Sequence, residues 1–138
     1  MRRLAIVDAG PLVAATLTNE RHHAACARAL RDTSQLLVVP AMCIAEASYL
    51  IERKAGPMRE AQFLAGMSSL DILAPEPEDW ARMAELVRQY ANFPLGGTDA
   101  SIVALAERLE TDTIITLDRR HFEAVTPKHC ERFRLLPE

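Results

Sequence analysis

Four acidic side chains lie beside apolar sequence, at the ends of predicted strands or in predicted helices. They are Asp8, Glu46, Asp99 and Asp118. An ionised carboxylate is usually excluded from apolar surroundings, because the loss of its water is costly. If the fold brings the four side chains together, their oxygens form a site for a hard cation such as Mg²⁺ or Mn²⁺.

Mutual repulsion is the reason that such a cluster would need a cation. Two carboxylates about 4 Å apart repel each other by roughly 4 kcal/mol at an effective dielectric constant of about 20. A shared divalent cation reverses the sign of that interaction, and it could orient a water, lower its pKa and stabilise charge on a scissile phosphate. Each acid also has a simpler explanation, as a turn, surface, first-turn or capping residue, and these alternatives stay open at this point.

Short apolar runs alternate with segments of helical periodicity along the chain. The predicted strands cover residues 4–7, 36–39, 70–74, 113–117 and 133–136. The predicted helices cover about residues 11–17, 20–31, 41–54, 58–68, 78–90 and 99–110, with one helical turn at 119–122. This alternation predicts one domain over residues 1–138, a three-layer α/β/α sandwich with a mostly parallel central sheet.

Two helices carry more detailed expectations. Thr98 is expected to cap the helix that begins at Asp99. The segment 78–90 is amphipathic, and its predicted inward face consists of Trp80, Met83, Ala84, Val87 and Tyr90.

The predicted topology already favours one location for a site. In parallel α/β sheets, ligands bind beyond the carboxyl ends of the strands. Asp8 and Asp118 each follow the carboxyl end of a predicted strand, so we expect them at the same edge of the sheet.

The composition of the 138 residues is that of an ordinary globular protein, with 49% hydrophobic and 25% charged residues. No apolar stretch approaches the roughly 20 residues of a membrane helix, and the run after Arg2-Arg3 is too short for a signal peptide. We therefore expect a cytoplasmic protein without a membrane partner. The three cysteines form no CxxC pair, which argues against structural zinc and a disulfide framework, and Cys26 and Cys43 are predicted to be buried core thiols.

The net charge of −3 argues against a protein that coats nucleic acid non-specifically, but not against a nuclease that binds cations. Basic residues gather late in the chain and form either a phosphate-facing rim or a solvated face; they are Arg119, Arg120, Lys128, Arg132 and Arg134. A dehalogenase-like phosphatase needs an acid where this chain has Gly10. Serine-hydrolase and P-loop motifs are absent from the sequence.

Several short segments match one family in order across nearly the whole chain. They are residues 6–12 (IVDAGPL), Val39-Pro40 leading to Glu46, residues 97–100 (GTDA), residues 115–118 (ITLD), Phe122 and Leu136-Pro137. On these segments the chain resembles the PIN-domain ribonucleases, and within them the VapC-type toxins of bacterial toxin–antitoxin systems.

The resemblance implies a metal-dependent endoribonuclease, in which metal-activated water attacks an RNA phosphodiester in line. Asp8 and Asp99 would be the principal ligands of Mg²⁺ or Mn²⁺, and Glu46 would bind the metal or its water. Asp118 would support a second ion or the water network. Thr116 matches a hydroxyl residue of the family that orients a carboxylate or the nucleophilic water.

The resemblance also implies partners: an RNA substrate, a second copy in a homodimer, and a cognate antitoxin that covers the acidic groove, with an arginine against the carboxylates. Ala9-Gly10 departs from the hydroxyl or amide side chain that many members carry there. Arg119, Arg120 and His121 are candidates for contact with RNA. The alternative is a non-catalytic PIN-like module that binds RNA or protein, in which the acids are dispensable.

Overall fold

A parallel sheet of five strands forms the centre of the molecule. The computed structural model describes residues 2–138. The strands are β1 (Arg3–Val7), β2 (Gln35–Pro40), β3 (Asp71–Leu73), β4 (Thr113–Ile115) and β5 (Arg134–Leu136). Their order in the sheet is β3-β2-β1-β4-β5, and every neighbouring pair is parallel.

Helices connect the strands. They are α1 (Ala9–Thr16), α2 (His23–Arg31), α3 (Ala41–Ala55), α4 (Pro57–Gly66), α5 (Pro77–Gln89), α6 (Gly97–Leu109) and α7 (Arg119–Ala124), with a 3₁₀ turn at Met67–Ser69. From β1 to β3 the chain moves towards one edge, and from β3 to β5 it returns past β1 to the other edge. Right-handed crossovers therefore place α1–α4 on one face and α5–α7 on the other. The predicted α/β/α sandwich is confirmed, with a sheet that is parallel throughout the described residues.

The central strands are buried on both faces, which explains why they read as continuous apolar runs. Ala5, Ile6 and Val7 of β1 are fully buried, as are Ile114 and Ile115 of β4. On the helix side, Cys43, Ala47 and Ile51 of α3 are also fully buried, as their spacing predicts. A rigid, fully packed pair of strands, β1 and β4, thus lies directly beneath the residues that follow them.

The predicted inward face of α5 is partly wrong. Trp80, Ala84 and Val87 are exposed, whereas Met83 and Leu86 are buried. The reason is a polar residue on the buried face: Asp79 is only 5% exposed and is held by Arg108 of α6, with Nε to Oδ2 at 3.0 Å. A prediction based on apolar residues alone does not place a charged residue inward, and it therefore chose the wrong face of α5.

Two helix starts also differ from the prediction. Helix α6 begins at Gly97 with Gly96 at its N-cap, so Thr98 lies inside the first turn and is not the cap. Helix α2 begins at His23 rather than near Glu20, because the preceding residues form turns in which the amide of His23 donates to the carbonyl of Glu20. None of the helices in residues 2–138 is long and apolar enough to cross a membrane.

Candidate metal centre

Asp8 lies at the point where the direction of strand order reverses. It follows β1, and its backbone amide donates to the carbonyl of Ile115, the last residue of β4, at 2.9 Å. It is also the N-cap of α1. The crevice between the carboxyl ends of β1 and β4 is the switch point of the sheet, where ligands bind in open α/β folds. Asp8 is 6% exposed, so its carboxylate is held inside this crevice.

Three donors surround the Asp8 carboxylate. The backbone amide of Ala9 donates to Oδ1 at 2.7 Å, and the hydroxyl of Thr116 donates to Oδ2 at 2.7 Å. The thiol of Cys43 approaches Oδ1 at 3.9 Å. Burial raises the pKa of Asp8 above its usual value, while the hydrogen bonds from Thr116 and Ala9 act in the opposite direction.

Asp99 lies in the first turn of α6, where the helix dipole favours a negative charge. Its side chain is 19% exposed. Burial, followed by the negative charge of Asp8, raises the pKa of Asp99 to about 6. The influence of Asp8 on Asp99 indicates that these two carboxylates, one directly after β1 and the other in α6, lie close together.

Asp118 and His121 complete the inner part of the site. The backbone amide of Asp118 donates to the hydroxyl of Thr116 at 2.9 Å, which fixes the loop after β4. Helix α7 then brings His121 back, and its Nδ1 contacts Oδ2 of Asp118 and lies 3.6 Å from Oδ2 of Asp99. One possible ligand atom from each of these three residues lies within 4.8 Å of the others.

Glu46 lies at the rim of the site. It is on α3, one turn after Cys43, and its side chain is exposed. Its pKa is nevertheless raised, first by partial burial and then by the negative charges of Asp8 and Asp118. Glu46 is therefore close enough to Asp8 and Asp118 for their charges to act on its carboxylate.

The structure thus places Asp8, Asp99, Thr116 and Asp118 together, with Glu46 at the rim, and it adds Cys43 and His121, which the sequence had predicted as a core thiol and as a candidate for contact with RNA. Cys43 is a fully buried thiol, as predicted, but it also contacts Asp8. Its spacing from Glu46 on one helix face was the available signal. The spacing of Asp118 and His121, three residues apart in a helical turn, was the corresponding signal for His121.

The late basic residues do not form one rim. Arg119 lies next to Glu123 and donates to the carbonyl of Pro137, and Lys128 lies near Glu85 on α5. Arg134 is the first residue of β5, so it lies at the amino ends of the strands, whereas the acids lie at their carboxyl ends.

Arg120 is exposed, and its guanidinium lies 5.9 Å from the ring centre of Phe93, beside His121.

The residues present fit a divalent cation. Carboxylate oxygens are the donors that Mg²⁺ and Mn²⁺ prefer, and the site supplies them from four separate elements of the chain. Asp8, Glu46 and Asp99 all have raised pKa values, with like charge among the causes for each. A bound cation would relieve this repulsion, which no described lysine or arginine ion pair does at these four acids.

Comparison with known proteins identifies the family of this chain. The model of the PIN domain family matches residues 5–126. Ribonuclease VapC26 of Mycobacterium tuberculosis is 32% identical over 134 residues, which cover 96% of this chain and 99% of the relative.

Solved structures show the same fold at lower identity. The crystal structure of VapC20 of Mycobacterium tuberculosis, described as a sarcin–ricin loop cleaving toxin, has a TM-score of 0.75 at 13% identity, over 80% of this chain and 86% of that one. VapBC2 from Rickettsia felis, bound to a DNA fragment from its promoter, has a TM-score of 0.71 at 14% identity, over 97% of this chain and 99% of that one. The expected resemblance is confirmed, and the chain belongs to the PIN domain family and, within it, to the VapC ribonucleases.

Proposed function

We propose that this protein is a Mg²⁺- or Mn²⁺-dependent endoribonuclease that acts as the toxin of a toxin–antitoxin pair. One observation carries the proposal: Asp8, Asp99 and Asp118 come from distant parts of the sequence and meet at the switch point between β1 and β4, with Glu46 at the rim. The name of the relative, Ribonuclease VapC26, supports RNA as the substrate class.

Asp8 and Asp99 would be the main ligands of the cation, since they are the more buried of the four acids and the charge of Asp8 raises the pKa of Asp99. Asp118 and Glu46 are more exposed and would hold a second ion or the waters around the first. When bound, a divalent cation lowers the pKa of a water and stabilises charge on a phosphate. The acids would also position that water for attack in line with the leaving oxygen.

Thr116 acts on the site through other residues. Its hydroxyl donates to Asp8 and accepts from the amide of Asp118, so it fixes the orientation of the first acid relative to the last. The thiol of Cys43 fills the space behind Asp8. Its pKa is raised by burial and by the surrounding acids, so the thiol stays protonated and adds no further negative charge.

The proposal includes the partners that the family resemblance implies. VapBC complexes are among the solved structures with this fold, which supports a cognate antitoxin. A basic antitoxin side chain would fit the acidic crevice and compete with the cation. A homodimer and a cytoplasmic location belong to the same proposal. Co-expression with the antitoxin should suppress cleavage, and sedimentation of the purified toxin should give twice the mass of one chain.

Cleavage of defined RNA by the purified protein tests the nuclease activity. Wild type should cleave with added Mn²⁺ or Mg²⁺ and stop with EDTA. Asp8→Ala and Asp99→Asn should lose at least 100-fold in rate, whereas the matched control Asp71→Asn should not. Asp71 is an exposed aspartate that begins the edge strand β3, two strands away from β1.

The alternative, a non-catalytic RNA- or protein-binding module, predicts the opposite result. RNA would then bind without metal, and the substitutions at Asp8 and Asp99 would leave binding unchanged. Calorimetry with Mn²⁺ separates the two hypotheses independently of RNA, because only the nuclease requires these acids for metal affinity.

A further inference from the structure

His121 lies inside the acidic crevice, and the proposed function gives it no role. Its Nδ1 contacts Oδ2 of Asp118 and lies 3.6 Å from Oδ2 of Asp99. The side chain is 24% exposed. A histidine that only held RNA at the surface would present its ring to solvent, but this ring nitrogen faces two carboxylates.

The orientation of this ring is fixed from outside the acidic cluster. The ring of Phe93 packs against that of His121 edge to face, with centroids 5.3 Å apart and planes at 79°. Phe93 lies in the loop between α5 and α6, and His121 lies in α7, so two separate elements hold the imidazole in place. A packed ring of this kind presents one nitrogen at a defined position.

The spacing of the donor atoms fits coordination of one ion. Oxygen or nitrogen ligands lie about 2.0–2.2 Å from ions of this size, so neighbouring ligands at right angles are about 3 Å apart and opposite ligands about 4.3 Å apart. The candidate atoms of Asp99, Asp118 and His121 all lie within 4.8 Å of one another. These separations are close to those that the ligands of one ion span.

We propose that Nδ1 of His121 is a direct ligand of a divalent cation bound between Asp99 and Asp118, and that this nitrogen makes the site prefer Mn²⁺ over Mg²⁺. The inference rests on the proposed metal-dependent function and adds a nitrogen ligand to its set of carboxylates. Mg²⁺ is a hard ion that binds oxygen and keeps its waters, whereas imidazole is a good ligand for first-row transition ions. The neutral tautomer with its proton on Nε2 is the one that coordinates.

A competing role for His121 makes the opposite prediction. An imidazolium held between Asp99 and Asp118 would itself occupy the cation's position and neutralise part of the charge. Removal of that ring would then strengthen metal binding, whereas removal of a ligand weakens it. The direction of the change in affinity therefore decides between the two roles.

Calorimetry with Mn²⁺ and with Mg²⁺, on the full chain at pH 7.5, provides this test. His121→Ala should weaken Mn²⁺ binding by about 10- to 100-fold and Mg²⁺ binding by less than about threefold. His121→Asn, which offers an amide oxygen near the same position, should retain Mg²⁺ binding but lose the preference for Mn²⁺. His22→Ala is the matched control, because His22 is exposed and its side chain caps no helix.

A spectroscopic measurement on the wild-type protein does not depend on any variant folding. Electron spin echo modulation of the Mn²⁺-loaded protein should show a coordinated imidazole nitrogen, and this signal should be absent from His121→Ala. Absence of a nitrogen signal from the wild type overturns the inference. Unchanged or tighter Mn²⁺ binding by His121→Ala overturns it as well, as does an equal loss of affinity for both ions.

These results are distinguishable from failure of the proposed function. If Asp8→Ala and Asp99→Asn abolish metal binding and RNA cleavage while His121→Ala keeps its preference for Mn²⁺, only the nitrogen ligand is wrong. If wild type binds neither ion, both the proposed metal-dependent nuclease function and the nitrogen ligand are wrong.

Discussion

The hydroxyl of Thr116 joins the first and the last acid of the site. It donates to Oδ2 of Asp8 at 2.7 Å and accepts from the backbone amide of Asp118 at 2.9 Å. Thr116 is 1% exposed, so its hydroxyl makes these two hydrogen bonds away from bulk water. The two acids are 110 positions apart in a chain of 138 residues, and one buried hydroxyl sets their relative geometry.

Thr116→Val should therefore damage the site without removing any ligand. Valine keeps the shape but leaves the carboxylate of Asp8 and the amide of Asp118 without their partner, at a cost of about 1–3 kcal/mol. We expect Mn²⁺ affinity and RNA cleavage to fall about 10- to 100-fold. Thr116→Ser keeps the hydroxyl and should remain within a few-fold of wild type. Equal effects of valine and serine would contradict this role of the hydroxyl.

Metal binding should depend on pH through Asp99. The pKa of Asp99 is raised to about 6 in the metal-free protein, and a cation binds the ionised form. Below pH 6 the apparent Mn²⁺ affinity should fall by up to about tenfold per pH unit, because one proton must leave Asp99 first. Between pH 7 and 8 the affinity should be nearly constant. Calorimetry at several pH values checks the slope, and a flat profile down to pH 5 would show that Asp99 is not protonated on metal release.

The same pKa makes a prediction about stability. A carboxyl whose pKa is raised on folding stabilises the folded protein most below its unfolded pKa of 3.8, and this contribution is lost as the pH rises through about 6. In EDTA at pH 7.5, Asp99→Asn should thus be more stable than wild type by about 2 kcal/mol, because it removes an ionised group from a buried acidic crevice.

Thermal unfolding in EDTA measures this difference, and Asp71→Asn serves as the control that should not change. The stability gap between Asp99→Asn and wild type should narrow at pH 5, where Asp99 is largely protonated. Added Mn²⁺ should reverse the order at pH 7.5, because only the wild type gains binding energy from the ion. A less stable Asp99→Asn in EDTA at pH 7.5 would contradict the proposed repulsion.

The sequence could predict the fold and the region of the site because both depend on local patterns. Strands β1 and β4 are short apolar runs with an acid after each, and strand-helix alternation implies a parallel sheet in which those acids share one edge. Asp99 is recognisable as the acid of a first helical turn. These features follow from neighbours in sequence, so local patterns predicted the fold and the region, whereas the roles of the four acids came from the family resemblance.

The contacts between distant side chains could not be predicted in the same way. The position of His121 beside Asp99 depends on the direction of the short helix α7 and on Phe93 in another loop. The approach of Cys43 to Asp8 depends on the packing of α3 against β1. The face of α5 depends on the buried ion pair between Asp79 and Arg108. Each of these is a tertiary contact that no local pattern encodes.

Asp79 should matter for stability and not for chemistry. Its Oδ2 accepts from Nε of Arg108 at 3.0 Å and from the backbone amide of Glu76 at 2.8 Å. The side chains of Glu76 and Asp79 form the capping box of α5. Asp79→Ala leaves a partly buried guanidinium and an amide without partners, so we expect a loss of about 3 kcal/mol in unfolding free energy. Glu78→Ala, at the exposed neighbouring position, should change stability by less than about 0.5 kcal/mol.

Urea unfolding measures both Asp79→Ala and Glu78→Ala, and calorimetry should give wild-type Mn²⁺ affinity for each folded protein. A large loss of metal affinity in Asp79→Ala, with its stability unchanged, would contradict a structural role and would place this pair in the functional site.

Arg120 should contribute to RNA binding at the entrance of the site. Within residues 2–138 it has no carboxylate partner, whereas Arg119 is next to Glu123 and donates to the carbonyl of Pro137. Its guanidinium lies over Phe93, beside His121, and can therefore reach a phosphate that enters the acidic crevice. Arg120→Gln should raise the KM for RNA about three- to tenfold with kcat nearly unchanged, because it removes binding and leaves the metal ligands intact.

The dependence of RNA affinity on salt distinguishes a phosphate contact from a change in local structure. If Arg120 neutralises one phosphate, the slope of log affinity against log salt concentration should become less steep by about 1 in Arg120→Gln. Arg134→Gln should keep the wild-type slope, because Arg134 lies at the amino ends of the strands, away from the acids. A lower affinity with an unchanged slope would mean that Arg120 acts by holding Phe93 in place, since loss of that contact releases no counterion.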